Sequence, residues 1–224
     1  MRILMLILAL GASLAAQTAT EKRLKEAAAA FTEMMTAGDK GIPQELLDHS
    51  ACAVILPNLK QGAFIVGAKF GRGFFTCRND NGVGWKSPAA VRLEGGSVGF
   101  QIGGSATDVI MLVKSARGGD KLAGSRFTIG GEASAAAGPV GRESKAMTDA
   151  QMTAEILSWS RSRGVFAGVS VQGSTLREDQ EGNKDLYGKE MTTRQVLDRK
   201  EPAPRAVAPL LAALNKYSGR AGQK

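Results

Sequence analysis

Lys60, Lys69, Arg72, Arg78 and Lys86 fall between positions 58 and 86 against a single acid, Asp80. If alternate residues of a strand share a face, some of these cations converge, and such a face attracts anions rather than breaking bonds. Candidates for bond chemistry are few. His49 is the only histidine, which leaves no conventional Ser-His-Asp triad and no histidine-based metal cluster. Beside Asp48 in a predicted short helix, it reads as a solvated or capping residue. Gly71-Arg-Gly73 lacks the third glycine and the following helix of a dinucleotide loop, and the phosphate-loop pattern is absent. Ser-Ala-Ala-Ala-Gly-Pro-Val-Gly, residues 134–141, reads first as a close-packed turn and second as a backbone nest for an anion. Serines such as Ser134 could serve a hydrolase, but the sequence offers no base to activate them. Nucleic-acid binding requires a stacking platform or a recognition helix, and aromatic residues make up only 5% of the chain. No metal or cofactor is expected.

The elements that would carry these residues follow from periodicity. Residues 19–38 form an amphipathic helix, with Leu24, Ala27, Ala28, Phe31, Met34 and Met35 on one face and Glu21, Lys22, Lys25 and Glu26 on the other. Its alanine-rich stripe suits packing on the domain better than lying in a membrane interface. A second helix starts at Pro43 and turns Leu46 and Leu47 inward. From Cys52 the texture becomes strand-like, with runs at 53–56, 62–67, 73–78, 84–93, 97–103 and 108–113. Residues 114–124 read as a turn with one short helix, 125–132 as a strand, and 156–162 with 164–173 as one hairpin. Thr192 or Thr193 caps a helix through Leu197, and Leu210, Leu211 and Leu214 mark another. The predicted fold is α+β: one domain with a curved, mainly antiparallel sheet or barrel-like core and N- and C-terminal helices.

The N-terminus reads as a leader spanning 1–16. Met1-Arg2 is its positive region, Ile3 to Leu10 its apolar stretch, and Ser13-Leu14-Ala15 supplies the small residues a signal peptidase reads. The expected product is secreted or periplasmic, with a domain over 17–218 and a basic tail over 219–224. In an oxidising compartment Cys52 and Cys77 could form a disulfide; the alternative is two separate buried thiols. The chain carries a formal charge of +8, so partners selected by charge are anionic.

Read in order, the motifs resemble the SYLF domain family. Ile42-Pro-Gln-Glu-Leu-Leu47 and Cys52-Ala-Val-Ile-Leu-Pro57 are similar to its opening. Gly62-Ala-Phe-Ile-Val-Gly67 with Gly71-Arg-Gly73 resembles its glycine-rich strand pair, and Gly84-Trp85 with Pro88 its tryptophan–proline turn. Gly99-Phe-Gln-Ile-Gly103 with Asp108-Val109, then Ala137-Gly-Pro-Val-Gly-Arg142, Gly164-Val-Phe-Ala-Gly168 and Tyr187-Gly188 complete the series. Lys86 departs from the small hydroxyl residue usual after the tryptophan, and Leu186 from an aromatic before Tyr187. The resemblance implies phospholipid binding, with phosphoinositides bound by eukaryotic relatives and actin by some fungal ones. For a secreted bacterial-type chain it implies another anionic lipid, not actin.

The expected function is therefore non-catalytic docking on anionic phospholipid at the cell envelope, each basic side chain near the surface contributing roughly 1 kcal/mol. The expected lipid contacts are Lys60, Lys69, Arg72, Arg78, Lys86 and Arg142, with solvated, functionless charges the alternative for about half of them. Phe74, Phe75 and Trp85 are the candidates for dipping into the membrane, against a competing expectation that Trp85 and Pro88 fix a turn against the core. A structural or protein-interaction module is the second reading and an unrecognised hydrolase the third. N-terminal sequencing of the mature protein is expected to start at Ala16 or Gln17, and an intact Met1 would end the export argument.

Overall fold

Strands β1 (Cys52–Ala63), β2 (Val66–Cys77), β3 (Ala89–Val98) and β4 (Gly103–Val113) are the long ones, and glycines in β2 stand where neighbouring backbone comes close. A computed structural model describes residues 18–63, 66–98, 103–140, 147–162 and 164–219. The expected leader, Arg142 and residues 220–224 lie outside these. Shorter strands follow: β5 (Arg126–Thr128), β6 (Ala135–Ala137), β7 (Ile156–Ser162), β8 (Val165–Gly168) and β9 (Thr175–Glu178). They join one nine-stranded sheet of order β5-β9-β3-β2-β1-β4-β7-β6, with β8 also beside β7. All pairings are antiparallel except β6 with β7.

The helices are α1 (Ala19–Thr36), α2 (Gln44–Asp48), α3 (Ala116–Leu122), α4 (Asp149–Thr153), α5 (Gln180–Tyr187), α6 (Thr193–Leu197) and α7 (Ala208–Ser218). Thr18 with Glu21, and Thr192 with Gln195, close capping boxes at the starts of α1 and α6. The sheet is apolar on both faces. Ala53, Ile55, Phe74, Ile110 and Trp159 pack with Leu24, Phe31, Leu210 and Leu214 of α1 and α7. On the other face Val54, Leu56, Phe75, Leu93 and Met111 join Phe127 and Ile156, from opposite ends of the strand order. The sheet therefore curls, enclosing its second face as a half-barrel. The mixed α+β expectation holds.

A bulge sets the register of β1 against β2. Ile55 pairs with Phe74 but Lys60 with Phe70, so β1 carries one extra residue between the pairs. Asn58 sits there with φ of 53°, and its backbone N–H donates to Asp108 Oδ1 at 2.9 Å. Asp108 also pairs with Arg161, which reaches Glu33 of α1. Opposite, a Cβ on Gly73 would stand 2.0 Å from the Ile55 carbonyl oxygen. Gly71-Arg-Gly73 thus answers a close backbone approach, not a nucleotide. The described part of the 134–141 segment, residues 134–140, likewise packs: Gly138 lies against the Trp159 ring, whose Nε1 donates to Pro139 O at 3.0 Å.

Arg78 and Trp85 close the end of the β1–β2 pair, and here two expectations are corrected. Arg78 is only 8% exposed. It donates to the carbonyls of Ser50, Leu47 and Ser218, each at 3.0 Å, and stacks 4.4 Å from the Trp85 ring centroid. Trp85, 5% exposed, donates from Nε1 to Ser218 O at 2.9 Å. The guanidinium thus caps the C-terminal ends of both α2 and α7. Burial lowers its pKa and Asp48 opposes that; a guanidinium keeps its charge regardless. Phe74 and Phe75 are fully enclosed. Arg78 is therefore not a lipid contact, and Phe74, Phe75 and Trp85 do not reach a membrane. Flanking aromatics that read as membrane-facing are core, because both faces of this sheet are covered.

Arg78→Lys is expected to lose about 3 kcal/mol, lowering the melting temperature by about 6–12 °C, since one ammonium cannot span three carbonyls. Trp85→Ala should cost roughly 3–5 kcal/mol. Thermal melts check both, and parent-like melting would mean the node does not hold the helix ends.

Candidate anion-binding surface

Four arginines meet across four strands. Arg72 of β2 pairs with Arg92 of β3, Arg92 with Arg177 of β9, and Arg177 with Arg126 of β5. Directly opposed residues share a face, and neighbouring strands lie about 4.8 Å apart, so the row runs for about 14 Å. One rung further along the strands, on the same face, lie Lys60, Phe70 and Glu94. Phe70 is 45% exposed, a large apolar side chain beside the cations.

Like charges directly opposite one another repel, and three carboxylates relieve the row. Glu94 bridges two arginines, its Oε1 3.0 Å from Arg92 Nε and its Oε2 3.2 Å from Arg177 Nε. Arg72 Nη1 meets Glu181 Oε2 at 3.2 Å, and its Nε lies 3.6 Å from the buried Asp179 Oδ2. Arg92 Nε, Arg177 Nε and Asp179 Oδ2 nonetheless lack hydrogen-bond geometry among the described residues. The charges are close but incompletely satisfied. Four guanidiniums against three carboxylates leave the row cationic, with planar forks that match phosphate oxygens.

Helix α5 holds one end of this surface. Asp179 caps it, accepting from Gly182 N at 3.3 Å, and donates its own N–H to Ala90 O of β3 at 3.0 Å. Buried Asn183 accepts from Ala90 N at 2.7 Å and donates to Met191 O at 3.0 Å. Tyr187 donates to Pro88 O at 2.6 Å, and burial pushes its phenol pKa up. Asp179 and Glu181 are thereby locked to the strand that presents Arg92.

The other expected contacts scatter. Lys60 is exposed on the face of the arginine row, whereas Lys69 pairs with Gln61 and Gly95 on the opposite face. An odd spacing from Arg72 accounts for this, since side chains alternate. Lys86 lies beyond the sheet, bound to Asp80 at 2.8 Å, and this pairing lowers the Asp80 pKa. The single basic face proposed from sequence is thus corrected: only Lys60 and Arg72 share the face of the row. Arg142 lies outside the described residues. Arg92, Arg126 and Arg177 were missed, because only strand register brings them beside Arg72. His49 Nδ1 lies 2.8 Å from Glu45 O at the end of α2. Ser134 Oγ accepts from Glu155 N at 3.0 Å. Among the described residues no cluster of three or more His, Cys, Asp or Glu is placed to hold a metal, and no helix is long and apolar enough to cross a membrane.

Residues 94–217 match the Ysc84 family, described as Las17-binding protein actin regulator. The chain belongs to this family. It is 37% identical over 178 residues to an SH3 domain-containing protein of Schizosaccharomyces pombe, covering 78% of this chain and 41% of that protein. Protein YSC84 of Saccharomyces cerevisiae is 32% identical over 179 residues, covering 79% of this chain and 38% of the relative. The human SH3 domain-containing YSC84-like protein 1 is 31% identical over 191 residues, covering 84% and 55%. This Ysc84-type chain thus spans roughly two fifths to just over half the length of these relatives. The SYLF resemblance and the family match agree.

Glu94→Gln removes the bridge between Arg92 and Arg177. It is expected to cost about 0.5–1 kcal/mol at low salt, and much of that loss should vanish in high salt, where repulsion is screened. Melts at two salt concentrations check this; an equal loss at both would assign Glu94 a packing role instead.

Proposed function

We propose that this Ysc84-type chain is a non-catalytic module that docks on anionic phospholipid through the arginine row, with Phe70 contributing apolar contact. The observation that carries the reading is the cross-strand register of Arg72, Arg92, Arg177 and Arg126. Such a row is stabilised when phosphates occupy it, because each guanidinium gains bidentate acceptors and the mutual repulsion falls. Docking is reversible and salt-sensitive, since exposed charges are screened over about 8 Å at physiological ionic strength. Its place is the outer side of an exporting membrane, in keeping with the leader-like N-terminus.

A second reading comes from the family description, which names a protein partner. An acidic protein surface would engage the same guanidiniums, and binding in the absence of lipid separates the two readings.

Arg92→Ala/Arg177→Ala is expected to weaken co-sedimentation with anionic vesicles by about thirtyfold, on the order of 2 kcal/mol. Lys69→Ala/Lys86→Ala should change it little, and neutral vesicles should bind poorly at any salt. The reverse ranking of the two double variants, with both folded by circular dichroism, would remove the row as the docking surface.

A further inference from the structure

A cavity of about 610 Å³ opens on the side of the molecule where β1 begins, β2 ends and α3 and α6 approach. Its wall includes Ala116, Gly119, Ala123 and Leu197, and also both cysteines. Cys52 and Cys77 are joined by a disulfide between directly paired residues of β1 and β2. The two cysteines are unequally protected: Cys52 is 1% exposed, whereas Cys77 is only partly buried. We propose that Cys77 is a site of reversible S-thiolation, by a small thiol that enters this cavity and exchanges with the disulfide.

Three features support the exchange. Gly119 of α3 faces the sulfurs, and a Cβ there would stand 2.3 Å from Cys52 Sγ and 3.3 Å from Cys77 Sγ. Glycine lets the helix run beside the bond without placing a side chain between it and the cavity. Lys114 lines the same cavity, where Lys86 and Arg194 are paired with Asp80 and Asp120 and where Asp48 and Asp198 also stand, and the Lys114 ammonium favours the attacking and the departing thiolate. The volume lies within the range of small-molecule sites, about 300–1,000 Å³.

The step is an ordinary exchange. The incoming thiolate forms a bond to Cys77 Sγ as the Cys52–Cys77 bond breaks. The electron pair leaves on Cys52 Sγ, which takes up a proton. Reversal needs only deprotonation of Cys52, whose thiolate attacks Cys77 and expels the small thiol. Opening the bond releases a staple beside the Arg78 node, where Arg78 N donates to Ala51 O at 2.8 Å.

The test exposes the folded, oxidised chain to glutathione, quenches with acid and maps peptides by mass. The adduct is expected on Cys77, with Cys52 recovered as free thiol. Ala116→Trp, which fills the cavity mouth from an exposed position, should slow the reaction at least tenfold without changing the melting temperature. Adduct on Cys52 would overturn the proposal, as would an unchanged rate in a folded Ala116→Trp variant. So would resistance of the folded chain at glutathione concentrations that fully reduce it in urea. A reaction rate in the parent chain equal to global unfolding, measured by hydrogen exchange, would overturn it independently of any variant.

Discussion

Strand register is the constraint on which this molecule depends. Side chains alternate, so a slip of one residue would exchange the two faces of a strand. In β2 that slip would turn Arg72 into the half-barrel and Gly73 toward the helices. The register is fixed at two points: the Cys52–Cys77 cross-link at one end, and the Asn58 bulge held by Asp108 in the middle. Asp108 is in turn held by Arg161, and Arg161 by Glu33 of α1. The helix layer therefore helps to hold the alignment on which the arginine row depends.

Arg78 and the arginine row show one residue type used in opposite ways. Arg78 is buried, and its donors meet carbonyls at the ends of two helices. A buried cation with such partners is costly to replace, because the carbonyls it leaves would be unsatisfied. The row is partly exposed, repels itself, and has buried Nε groups without hydrogen-bond geometry. Stability alone does not favour such a row. An anionic partner would complete it, and a partly satisfied charge cluster on a rigid sheet is ready for one without rearrangement.

The row's position also follows from how the helices cover the sheet. On this face Phe74 and Ala90 lie beneath the helix layer, while the next rung, Arg72 and Arg92, lies at its margin beside α5. Gly182 permits that edge to sit close, since a Cβ there would stand 2.7 Å from Ala90 Cβ. A bulkier residue would lift Asp179 and Glu181 from Arg72. The limits of helix cover, as much as the sheet itself, decide which charges meet solvent.

Periodicity and composition alone determined neither α5 nor the full length of the strands, but they did determine the α+β class, the amphipathic α1, the strand-rich middle of the chain and the helices α6 and α7. These are local properties, set by spacing, caps and breakers within a few residues. The sequence also marked residues 58–86 as basic, but it could not say which cations act together. Lys69 and Arg72 are three apart and face oppositely; Arg72 and Arg177 are far apart and share one row. Arg78 read as part of the basic face and is a buried cap, because its carbonyl partners come from helices remote in the chain. Whether Cys52 and Cys77 were bonded stayed open until β1 and β2 were neighbours in register. Only tertiary structure decides such matters, because pairing between distant strands sets which side chains meet.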